Sequence, residues 1–204
     1  MKTYDFEQGL SINGPKKSLD RYVKHAANWS HYYKHNPGNP VGNIPEIVLT
    51  EIKPLLPNYI DSVLIFGCAN GRDFVPFQDD YNIMGFDIKK AKDIDFVCKT
   101  DNLTYYQCTM QDYALENYTI HDGTMHKDLS KSLVYTGVSL MYLDSHEQEE
   151  FISYLLDKGC KNMVFQEYTS NFGAHDEKSK HYKLFNQCHR GRTDVKCYEY
   201  IDNK

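Results

Sequence analysis

The chain has 204 residues, 41% of them hydrophobic, enough for one domain with a sizeable core and an accessory segment. Its formal net charge of −5 argues against loose binding to polyanions, which requires a basic surface, so nucleic acid is not an expected partner, although a small local patch around Arg190 and Arg192 stays open. No apolar run is long enough to span a membrane and no secretory leader is read, while six scattered cysteines (Cys68, Cys98, Cys108, Cys160, Cys188, Cys197) without a C-x-x-C pair read as reduced thiols of a cytoplasmic protein.

In chain order, residues 1–41 form a polar arm rich in Lys, Asn, His and aromatics, closed by the break Asn36-Pro37-Gly38-Asn39-Pro40. Asn43, Pro45 and Glu46 read as a helix start, with Ile44, Ile47, Val48 and Ile52 at helical spacing and Pro54 and Pro57 as the stop. The expected division is therefore an arm or lid with a first helix over 1–58, then one compact unit over 59–204. Within that unit the pattern predicts a strand at 62–67, a short helix from about 71 and a strand at 82–88. An irregular helical piece within 89–102 and a strand at 103–109 follow, then loop over 116–130 and a strand at 132–136. Asp144 and Ser145 cap a helix whose inward face is Phe151, Ile152, Leu155 and Leu156, with Gly159 as its end. A strand at 162–166, a helix at 176–187 and a strand at 194–201 complete the order. Strands alternating with helices predict an α/β fold, with a doubly wound, mostly parallel sheet, helices on both faces and an N-terminal helical arm.

The most informative stretch runs from Val63 to Asp73, where an aliphatic strand ends in Gly67 and a second glycine, Gly71, follows. That is a buried strand turning into a helix through a loop too tight for side chains. In α/β proteins such a turn lies at the carboxyl end of the sheet, where ligands bind. Twenty residues beyond Gly67, Asp87 ends the next strand-like run. A carboxylate there can accept both hydrogen bonds of a ribose diol, so a nucleoside-bearing ligand is expected.

Over roughly residues 60–200 the chain resembles the class I S-adenosylmethionine-dependent methyltransferases, which have a Rossmann-like fold. The resemblance implies that Phe66, Gly67, Cys68, Ala69 and Gly71 form the glycine loop beneath the methionine part and ribose of the cofactor. It implies ribose binding by Asp87, with Ile88 beside it, and adenine contacts from Met110, Gln111 and Asp112. Thr136-Gly137 and the loop through Leu143 would lie under the sulfonium centre. Tyr142 and Glu167, with Tyr168, would stand near the reacting methyl as catalytic candidates, set against the alternatives of a core ring and an exposed strand end. Two positions depart from the pattern. The acid that holds the cofactor's ammonium group is replaced by Ile65, so another group, such as one from the arm, is expected to serve. The middle glycine is Ala69, a mild change if its backbone keeps a negative φ.

The implied activity is methyl transfer from S-adenosylmethionine, leaving S-adenosylhomocysteine, to an oxygen, nitrogen or sulfur of a small molecule. A lyase that consumes the same cofactor and a non-catalytic binding protein are the alternatives. A dinucleotide-binding domain fits less well, because it needs G-x-G-x-x-G and Asp73 would repel a pyrophosphate at the helix start. Ser139-Leu-Met-Tyr142 stands where methyltransferases of nucleic-acid base amino groups carry Asn or Asp before Pro-Pro and an aromatic. In the arm, Trp29, Tyr32 and Tyr33 read either as a lid over cofactor and substrate or as rings locking the arm to the domain. His31 and His35 are four apart, but no Cys or Glu completes a ligand set, and no metal is expected. Cys68, at a helix start, reads either as a thiol of lowered pKa or as a small buried filler.

Overall fold

The computed structural model describes residues 1–4, 50, 52–114, 128–137, 139–168, 182–190 and 193–200. Trp29, Tyr32, Tyr33, the arm's histidines, nearly all of the helix expected from Asn43 and most of the 116–130 loop lie outside the described residues. Eight strands form one sheet: β1 Lys2–Tyr4, β2 Ser62–Phe66, β3 Asn82–Asp87, β4 Leu103–Gln107, β5 Ser132–Gly137, β6 Asn162–Tyr168, β7 Tyr182–Arg190 and β8 Thr193–Tyr200. Their order is β1-β4-β3-β2-β5-β6-β8-β7. The first six are mutually parallel, and β8 runs antiparallel between β6 and β7.

Period-two alternation in the central strands sorts the core onto two faces. Leu64, Phe66, Phe86, Val134 and Met163 face one way, where they meet Tyr113 of α1 (Met110–Ala114) and Phe151 and Leu155 of α2 (Ser145–Asp157). Val63, Ile65, Ile83, Leu133 and Tyr135 face the other way, against Ile52, Leu56, Phe74 and Phe77. The last two belong to a 3₁₀ helix, Arg72–Phe77, which contains Pro76. A proline there lacks the N–H an α-helical continuation needs, which explains why the helix expected from about residue 71 is so short. Among the described residues, no helix is long and apolar enough to cross a membrane.

Residues 2–4, at the start of the expected arm, form an edge strand paired with β4. Two expectations are corrected. The helix expected at 176–187 is contradicted by β7, which pairs with β8 over Tyr182–Arg190. The strand expected to end at Gln166 continues through Glu167 and Tyr168, because β8 supplies Asp194 and Thr193 as partners.

Candidate functional site

The strand order reverses between β2 and β5, so the topological switch point lies at their carboxyl ends, beside Gly67 and Gly137. A ladder of stacked rings forms the floor beneath this edge. Phe66, Phe86, Tyr106 and Tyr4 occupy one register across β2, β3, β4 and β1, with centroids 4.4, 5.3 and 5.1 Å apart. Each added aromatic pair contributes about 0.5–1.5 kcal/mol beyond its buried area. The rings fix the depth at which the next residues, Gly67, Asp87 and Gln107, emerge. Phe66 is thus part of the core, and it reaches the edge only through its main chain.

The bend itself is held by backbone. The N–H groups of Gly67 and Cys68 both donate to the Phe86 carbonyl, at 2.8 and 3.2 Å, and Gly71 N–H closes back on the Cys68 carbonyl at 2.8 Å. Gly67 has φ +71°, and a Cβ on it would lie 2.4 Å from Cβ of Ser139. Ser139 is fixed there by donating to the Phe66 carbonyl at 3.0 Å. Conformation and space therefore both require glycine. Ala69 corrects the expectation of negative φ: it stands at φ +47°, in the left-handed region, at a strain of about 1–2 kcal/mol. Cys68 is 2% exposed, and burial, then the nearby Asp87 and Asp73 carboxylates, push its thiol pKa well up. It is a buried filler and not an activated thiol.

The strained residue orients its N–H toward Asp87. Ala69 N–H donates to Asp87 Oδ2 at 2.8 Å, and Lys89 N–H reaches Oδ1 at 3.3 Å. Burial raises the Asp87 pKa, and these backbone donors oppose the rise. Each carboxylate oxygen keeps a further lone pair for a ligand hydroxyl. Ile88, half-buried beside it, accepts at its carbonyl from Gln107 Nε2 at 3.1 Å.

Met110, Gln111 and Asp112 come together at the start of α1, all three buried. Thr109 caps the helix: its hydroxyl accepts from Asp112 N–H at 2.9 Å and donates to Asp112 Oδ2 at 2.8 Å. Gln111 Nε2 donates to Glu147 Oε1 at 2.7 Å, while Gln111 Oε1 is buried with no hydrogen-bond partner.

At the end of β5, Thr136 is fully buried and its hydroxyl has no hydrogen-bond partner. Gly137 is a close-approach position, where a Cβ would meet Asp73 Oδ2 at 2.5 Å. Tyr142, in the 3₁₀ helix Leu140–Tyr142, is 8% exposed and packs in the core of the α1 and α2 face. Glu167 occupies the penultimate position of β6, opposite Asp194. The structure thus gathers the glycine loop, Asp87, Thr136 and Gly137 at one edge, with α1 beyond β4. The sequence places Ser139 and Asp73 within the spans of this edge but gives neither a contact of its own. The carboxylate of Asp73, immediately after Gly71-Arg72, was the available signal. A separate groove of about 620 Å³, lined by Lys53, Pro54, Pro57, Asp80 and Tyr81, lies at the opposite, amino edge of the sheet. Among the described residues, no group of three or more metal-ligating side chains occurs.

This architecture is the class I methyltransferase fold. A TehB-like S-adenosylmethionine-dependent methyltransferase from Corynebacterium glutamicum matches with TM-score 0.58 at 15% identity, over 88% of this chain and 100% of that one. The magnesium protoporphyrin IX methyltransferase of Synechocystis, with bound S-adenosylmethionine, matches with TM-score 0.59 at 11% identity, over 94% and 100%. A Burkholderia thailandensis 1,6-didemethyltoxoflavin-N1-methyltransferase, bound to 1,6-didemethyltoxoflavin and S-adenosylhomocysteine, matches with TM-score 0.59 at 9% identity, over 95% and 93%. At these identities the likeness is one of fold. No family model matches the sequence, and no curated protein matches it.

Proposed function

We propose that the chain binds S-adenosylmethionine at the carboxyl edge of the sheet and transfers its methyl group to an oxygen, nitrogen or sulfur of a small molecule. The observation that carries this reading is Asp87. Its carboxylate, at the end of β3, is presented beside the Gly67 bend by two backbone N–H groups, one strand from the topological switch point. Buried oxygens of Asp73, Gln111 and Thr136 that lack a hydrogen-bond partner support the fit, since a ligand with several polar groups could supply donors to them.

When bound, the cofactor supplies an electrophilic methyl on a sulfonium. What the protein must add is alignment and exclusion of water. In this reading Asp87 takes the ribose diol, Ile88 packs beside the purine, and Met110, Gln111 and Asp112 meet the adenine. Phe66, Gly67, Cys68, Ala69 and Gly71 contribute backbone to the loop, and Thr136 and Gly137 lie beneath the sulfur. Glu167 is the remaining candidate near the methyl, since Tyr142 packs in the core.

Calorimetry with S-adenosylmethionine and S-adenosylhomocysteine tests the binding. Asp87→Ala is expected to weaken both by about 1.5–3 kcal/mol, the loss for hydrogen bonds to a charged group. An unchanged dissociation constant would put the ribose elsewhere. Incubation with the cofactor alone, read by mass spectrometry, then separates transferase from lyase, because breakdown without any acceptor marks the latter.

A further inference from the structure

The cofactor's amino-acid end carries an ammonium group, which needs acceptors when it enters a poorly hydrated cleft. Position 65 cannot supply one. Ile65 is fully buried among Val63, Phe74, Phe77 and Tyr135. Its register partner is Tyr135, and Gly137 stands two residues further along β5 on the same face. The carboxylate of Asp73 occupies the space over Gly137, with Oδ2 2.5 Å from where a Cβ would begin. It therefore lies one pleat nearer the carboxyl edge than Ile65.

Three observations make this carboxylate more than a packing element. Asp73 is 7% exposed, and its Oδ1 is buried with no hydrogen-bond partner. Arg72 Nε forms an ion pair with Oδ1 at 3.6 Å, longer than a hydrogen bond, so the oxygen has a neighbouring cation but no short donor. The Gly137 carbonyl oxygen lies 3.7 Å from the position of a Cβ on Gly67, so a backbone acceptor also stands at the carboxyl end of β2. An ammonium has three donors, and the Asp73 carboxylate has lone pairs to accept from them.

We infer that Asp73, not a residue of the amino-terminal arm, supplies the carboxylate that receives the ammonium group of S-adenosylmethionine, in place of the acid missing at position 65. The inference rests on the methyltransferase reading above and assigns a residue within it. Gly137 is part of the same device, because any side chain there would displace the carboxylate.

The test compares S-adenosylhomocysteine with 5′-methylthioadenosine, which keeps the nucleoside and thioether but lacks the amino-acid end. Calorimetry on the full chain should show Asp73→Asn weakening S-adenosylhomocysteine at least tenfold, with 5′-methylthioadenosine within twofold of wild type. An equal loss for both ligands would overturn the assignment, since it would mark Asp73 as merely shaping the loop. So would an unchanged affinity for S-adenosylhomocysteine. A wild-type chain that binds neither ligand would instead remove the functional reading itself. A measurement on wild type guards against a variant that fails to fold. A water-soluble carbodiimide joins paired amines and carboxylates without a spacer, so with bound S-adenosylhomocysteine it should leave an amide adduct that peptide fragmentation places on Asp73. An adduct on another carboxylate, or none in protein shown to bind, overturns the proposal.

Discussion

Ala69 holds a conformation that glycine adopts without strain, and it does so to aim one N–H at Asp87. Replacing it with glycine keeps that N–H and removes the left-handed penalty of about 1–2 kcal/mol, against a loss of up to about 1 kcal/mol from the freer unfolded chain. Ala69→Gly is thus expected to raise stability by up to about 1 kcal/mol in urea denaturation. A destabilised variant would mean that the bend does not hold residue 69 at positive φ. Gly67 is the converse case, with both its φ and its space against a side chain. Gly67→Ala should cost about 2–4 kcal/mol, combining left-handed strain with overpacking. The same change in a Ser139→Gly background should cost less, because the 2.4 Å collision is gone while the φ penalty remains. Equal costs in both backgrounds would deny the contact. Gly67 and Asp87 were legible in the sequence because strand, turn and carboxylate follow one another at short range. Asp73 was legible only as a charge at a helix start. Its place over Gly137, 64 positions away, is a product of the sheet.

Elements were readable where one local signal dominated. The α2 start is such a case: Asp144 accepts from His146 and Glu147 N–H while Glu147 returns a bond to Asp144 N–H, completing the capping box. Less legible was the second task of Glu147, whose other oxygen accepts from Gln111 and ties α2 to α1. Both residues are buried, so losing one strands the other. A double-mutant cycle of Gln111→Leu and Glu147→Ala should return a coupling of about 0.5–3 kcal/mol in denaturant unfolding. Strict additivity would show that the two helices are held by their apolar faces alone. The misread β7 has an equally physical cause. Its register shifts between Leu184 and Asn186, and a bulge there breaks the alternation that marks a strand. The better signal was Gly191-Arg192 between two strand-like runs, a two-residue hairpin spacing. The edge strand β1 was hidden for another reason: three residues, Lys2–Tyr4, are too few to show a period.

Across the whole molecule, the carboxyl edge concentrates acids that burial penalises. Burial raises the pKa of Asp73, Asp87 and Asp112, opposed respectively by Arg72, by the Ala69 and Lys89 N–H groups, and by Thr109. Each binds its proton more tightly folded than unfolded. The stability this confers is complete below the ordinary carboxylate pKa of 3.8 and is lost as pH rises through the raised folded value. Ionising these buried groups therefore costs the fold stability, as expected where binding and stability compete. Asp73 isolates the effect, since asparagine has nearly its shape and no proton to lose. Asp73→Asn should melt at a higher temperature than wild type at pH 7, with the gap closing as pH falls toward 4 and the wild-type carboxyl protonates. Thermal melts across that range decide the point. A wild type more stable at pH 7 would mean that pairing with Arg72 outweighs burial and that the residue is there for the fold. A stabilised variant that has lost affinity for the amino-acid end of the cofactor is the signature of a charge kept for its ligand.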